Sequence, residues 1–204
     1  PPLDAELIKT MEKAYFDSGY EITAMLRALF TSESFQSESV RYAKVKSPAE
    51  MVAGTLRLVE EHREIKPGLF QISQEPKFMG MDLMNPPTVE GWHTGREWID
   101  SGTLVERINF ASDILGNTEL PGVRSLVDRL MASGNTLSPQ QFVDGCLDLT
   151  GPLDVTGDTK NLLVAHASMG GELKHGNDSE RAEFTRRTGE MFQMIAATAE
   201  FQFA

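Results

Sequence analysis

Trp92, His93, Arg96, Glu97, Trp98 and Asp100 bring two indoles, an imidazole, a guanidinium and two carboxylates together within nine residues. An aromatic floor with a charged rim would suit a ligand pocket, or a platform for a sugar or peptide. His93 with Glu97 and Asp100 could also move protons, as a hydrolytic site requires. The opposing reading is architectural. A loop without secondary structure needs anchors to offset its conformational entropy, and the indoles can plug it into helices while Arg96 ties down carbonyls or a carboxylate. The residue types favour the architectural reading, with Trp92 expected to be largely buried as the main anchor.

No other segment offers chemistry. His62, His93, His166 and His175 are scattered, and none has a second His or a Cys at metal-ligand spacing. His62 sits in the charged run Glu60-Glu61-His62-Arg63-Glu64, His166 on the apolar face of a helix, and His175 in a glycine-containing loop. Phosphate-binding glycine loops and a Gly-x-Ser-x-Gly nucleophile elbow are missing. Asp144, Asp148, Asp154 and Asp158 lack the spacing of a calcium loop. The single Cys146 falls in a helical apolar pattern, as a buried structural thiol would. Neither a metal nor a cofactor is therefore expected.

The elements that must position the Trp loop are helical. Leu3, Leu7, Ile8, Met11, Ala14 and Tyr15 recur at helical spacing, and Gly19 closes that helix. Ile22, Met25, Leu26, Leu29 and Phe30 predict a second, and Ser32–Ser39 a polar break. Ser47-Pro48-Ala49-Glu50 and Ser138-Pro139-Gln140-Gln141 are capping boxes with proline in the first turn. Pro86, Pro87, Gly91 and Gly95 make Asn85–Gly95 an ordered loop, after which Asp100 or Ser101 opens a helix. Further helices are predicted over Pro121–Ser133, from Thr156 or Asp158 to Gly170, and over Asp178–Thr198, with Gly170–Asn177 a polar, mobile loop. Phe35 and Phe201 close similar helix ends and are read as hydrophobic plugs. The fold class is all-α, an irregular multi-helix domain with few or no strands. The chain is read as one domain over 1–204, or a C-terminal fragment, with a possible subdivision near 116–121.

Nineteen basic against thirty acidic residues give a net charge of −11, spread along the chain. A distributed negative surface disfavours phosphate backbones and anionic lipid. No apolar run approaches the roughly 20 residues of a membrane span, so neither nucleic-acid binding nor membrane insertion is expected.

The segment from Gly80 through Pro86-Pro87-x-Val89-x-Gly91-Trp92, Gly95 and Trp98 to Arg107-x-Asn109-Phe110-Ala111 resembles the bacterial family catalogued as domain of unknown function 1800. Arg41–Glu50, Leu29–Phe35 and the terminal Ala199-Glu200-Phe201-Gln202 are similar to the family too, while Met81 stands where the family often has Gln. The resemblance implies part of an exported, extracytoplasmic protein, and no reaction. The expected function is a non-catalytic helical interaction or assembly module, its partner another protein or an N-terminal portion of its own. The alternative is part of a hydrolase-type enzyme with a pocket near Trp92–Asp100.

Overall fold

The computed structural model of the protein describes residues 4–63, 67–151 and 153–203, so Leu3 and Glu64 lie outside the described residues. The fold is predominantly α, in two compact units that divide between Lys44 and Val45. The first unit holds α1 (Ala5–Asp17), α2 (Ile22–Phe30) and the single turn α3 (Glu33–Gln36), the last lying in the expected polar break. The Asp4 carboxylate accepts from the Glu6 and Leu7 amides to start α1, and α1 packs along α2 as a hairpin.

The second unit begins with α4 (Pro48–Leu58) and the short turns α5 (Leu69–Ile72) and α6 (Glu75–Phe78). Then come α7 (Ser101–Gly116), α8 (Pro121–Ala132), β1 (Thr136–Leu137), α9 (Pro139–Leu149), α10 (Gly157–Met169), β2 (Leu173–Lys174) and α11 (Asp178–Ala196). Residues 117–120, the connection between α7 and α8, lie inside this unit. Both Ser-Pro capping boxes form: Ser47 and Ser138 accept from the third helical amide, while Glu50 and Gln141 reach back. Ser47→Ala should cost about 1 kcal/mol.

Among the described residues the only sheet is the antiparallel pair β1–β2, joining Thr136 to Lys174 and Leu137 to Leu173. That pair corrects the expectation of a mobile loop over Gly170–Asn177. The segment is tied down by its strand, by a His175 Nε2 contact to the Gly134 carbonyl at 3.0 Å, and by Asn177 capping α11.

α11 runs through the middle of the second unit. It packs along α7 and also touches α8, α9 and α10. Its Phe184, Met191, Phe192 and Ile195 meet Leu115, Val123, Phe142 and Cys146 in one continuous core. On α10, Leu163 and Ala167 fill the buried side and Leu162 is exposed. Backbones come close at Gly122, where a Cβ would overlap the Val59 carbonyl oxygen. Neither backbone has room to retreat from a buried helix end, so Gly122→Ala should destabilise by about 3 kcal/mol in urea unfolding. An unchanged midpoint would refute that close approach.

Candidate functional site

The signature loop is held by its own polar groups. Gly80, at φ +93°, turns the chain out of α6. Pro86 and Pro87 are exposed on the outer arm, and the Thr88–Gly91 bridge pinches the tip, with Gly91 at φ +103°. Trp92 is only half-buried, its indole N–H donating to the Asp82 carbonyl at 3.2 Å. The buried indole is Trp98, 5% exposed, so the main anchor is the second tryptophan and not the first. Spacing could not separate the two. The deciding fact is that Trp98 belongs to a 3₁₀ turn, Gly95–Trp98, that leads directly into α7.

The charged members of the loop serve this geometry. Glu97 Oε2 meets His93 Nδ1 at 3.2 Å and accepts the Thr94 amide at 3.3 Å, closing a capping box on the 3₁₀ turn. Asp100 Oδ1 accepts the Gly102 and Thr103 amides at 2.8 and 2.9 Å, and Thr103 Oγ1 reaches back to the Trp98 carbonyl. Arg96 is exposed and makes no ion pair among the described residues. Residues 80–100 line none of the three cavities that open beside α4, between α10 and α11, and around β2. The structure thus brings His93 and Glu97 together and places Asp100 on a helix start.

The Thr103 and Gly102 amides hold the Asp100 carboxyl below the usual aspartate range. Because its folded value is depressed, the stabilisation is complete above the ordinary aspartate value and fades as pH falls through the lowered one. Acid should therefore loosen the start of α7, read as a change in tryptophan fluorescence that Asp100→Asn blunts. The same acid response in the Asn variant would contradict this assignment.

Three of the four segments that carry the family resemblance meet at one buried point, through Arg107, Lys46 and Gln202. Arg107 on α7 is wholly buried; its Nε donates to Gln202 Oε1 at 2.9 Å and its Nη2 to the Lys46 carbonyl at 2.8 Å. The Lys46 amide donates to the Gln202 carbonyl at 2.9 Å, and Lys46 Nζ donates to the Phe201 carbonyl at 2.8 Å while lying 4.7 Å from the Phe201 ring centre. Burial, then the neighbouring Arg107 charge, lowers the Lys46 pKa; burial alone lowers Arg107 to about 10. Lys46 is therefore a structural tether between α4 and the chain's last turn. Phe201 is a true plug, but Phe35 is exposed.

Elsewhere, burial pushes the Cys146 thiol well above its ordinary value, which makes it a poor nucleophile. Among the described residues no group of three or more His, Cys, Asp or Glu side chains is placed to hold a metal ion. Among them, too, no helix is long and apolar enough to cross a membrane.

The first unit presents a different kind of surface. None of the described residues 4–44 is buried. On α2, Met25 and Leu29 are half-buried, whereas Ile22, Leu26 and Phe30, spaced i, i+4, i+8, point outward at 61%, 37% and 51% exposure. Phe35 extends this stripe through an edge contact with Phe30 at 5.1 Å. From the sequence, the five large apolar residues of α2 read as one face, and the structure divides them. The missed signal was breadth: with Ala24 and Ala28 added, α2 is apolar around most of its circumference, more than one hairpin neighbour can cover.

No curated protein and no solved structure matches the chain. The family match is wider than the blocks that carry the resemblance: residues 1–203 match the family described as protein of unknown function (DUF1800), and the chain belongs to it.

Proposed function

We propose that this chain is a helical, non-catalytic interaction module of an exported bacterial protein, and that the Ile22–Leu26–Phe30 stripe docks against a helix of a separate partner protein. The observation that carries this reading is a helical hairpin in which no described residue is buried and an apolar ridge faces outward. Residues spaced four apart form the ridge that fits the groove of another helix. Taking about 200 Å² for a fully exposed large side chain, Ile8, Phe16, Tyr20, Phe35 and the stripe offer roughly 700 Å², near one side of a standard interface. Residues 1–44 carry seven acidic against five basic side chains, so this region is far closer to neutral than the rest of the chain.

The rival, a hydrolase-type pocket at Trp92–Asp100, is favoured by no feature of the loop: Glu97 and Asp100 are spent on helix starts. The exported setting rests on the family resemblance, and recovery only from cytoplasm on fractionation would overturn it.

Photo-crosslinking from position 26 in producing cells tests the docking surface, with exposed position 181 as control. The expected result is an intermolecular adduct to one identified protein. That protein, purified, should bind the chain, and Leu26→Asp should weaken binding at least about ten-fold, or 1.4 kcal/mol. Crosslinks within one polypeptide, to a second copy, or equal to the control would each overturn the partner proposed.

A further inference from the structure

A groove of about 600 Å³ opens beside α4, within the range of about 300–1,000 Å³ usual for small-ligand sites. Its α4 wall is the row Glu50, Ala53, Gly54, Arg57 and Leu58, and Lys46 and Phe201 line it too. Gly54 lies in the interior of α4, where glycine weakens a helix relative to alanine. Nothing in the chain's own packing requires it, since a Cβ there would meet no atom within 4 Å. The residue leaves open space on the α4 wall of the groove.

The charges around this clearing are unequal. Arg57 is exposed and has no side-chain partner among the described residues. Lys46 uses one Nζ proton on the Phe201 carbonyl, leaving two for another acceptor. Glu50 spends one carboxylate oxygen on the Ser47 amide at 2.8 Å. Two cations against one anion leave an excess of one positive charge above an apolar floor, in a chain whose net charge is −11. We propose that this groove binds a small organic monoanion with an apolar body, its carboxylate on Arg57 and its body over Gly54 toward Phe201. This site is separate from the hairpin surface and does not depend on the interaction reading.

Calorimetric titration with dodecanoate, kept below its micelle threshold, tests the site. One saturable site per chain is expected, and neutral dodecanol should bind at least about ten-fold more weakly. Arg57→Gln changes only an exposed side chain and should weaken dodecanoate at least about ten-fold. Gly54→Leu should abolish binding by filling the clearing, while Gly54→Ala should preserve both fold and binding. Leu26→Asp should leave binding unchanged. The absence of saturable binding, wild-type affinity in Arg57→Gln or Gly54→Leu, or loss in Leu26→Asp would overturn the proposal.

Discussion

Arg107→Ala is expected to lower the stability of the second unit by about 3–5 kcal/mol, measured by urea unfolding at neutral pH. Two effects oppose each other. Removing the guanidinium relieves the desolvation that lowers its pKa to about 10, and it also removes Nη1, which is buried without a hydrogen-bond partner among the described residues. Against that, Gln202 Oε1 and the Lys46 carbonyl lose their donors, at about 1–3 kcal/mol for each acceptor left dry, and the aliphatic stem leaves a cavity. The losses are larger. Arg107→Met, which keeps the stem's volume, should recover part of the deficit, as hydrophobic replacements of buried charges often do. An Arg107→Ala variant within about 1 kcal/mol of the parent would show that the junction carries little stability.

Trp98→Ala should cost about 3–5 kcal/mol, the range for a large aromatic removed from a buried site. Trp92→Ala should cost less, about 1–2 kcal/mol, because its half-buried indole already spends part of its surface in water and its N–H makes a single carbonyl contact. The same asymmetry should appear in iodide quenching, with one accessible and one protected tryptophan. A larger loss for Trp92 than for Trp98 would reverse the assignment of the anchor.

Helix starts were legible because their chemistry is local. Ser47, Asp100, Ser138 and Thr156 cap the helices that their spacing predicts, since a side-chain oxygen and an amide three residues away need nothing from the rest of the fold. What depends on distant partners was not legible. Ile22, Leu26 and Phe30 have the right periodicity for burial, yet periodicity only names a face, and whether anything covers it is a tertiary fact. Lys46 stands in a basic block with Arg41 and Lys44, whose residue types point to structural pairing with neighbouring carboxylates. Its partners, Phe201 and Gln202, stand more than 150 residues away, so no local pattern could reveal them. The β1–β2 pair was hidden for the same reason: strands of two residues are too short to show alternation.

The bridge between Val45 and Phe203, with the Lys46–Gln202 contact beside it, fastens the first residues of the second unit to its last. This has a consequence for synthesis on the ribosome. Arg107 is translated about a hundred residues before the glutamine that accepts from it, and Met51 before Phe201, a later member of the same core. A nascent chain halted before residue 199 therefore carries the Arg107 Nε, the Lys46 amide and the Lys46 ammonium without their acceptors, and a core that lacks Phe201. Closure over so long a separation is slow compared with helix formation, so this unit completes its fold after the final turn emerges, not progressively. During that interval the unfinished chain presents the exposed apolar surface that holdase chaperones recognise.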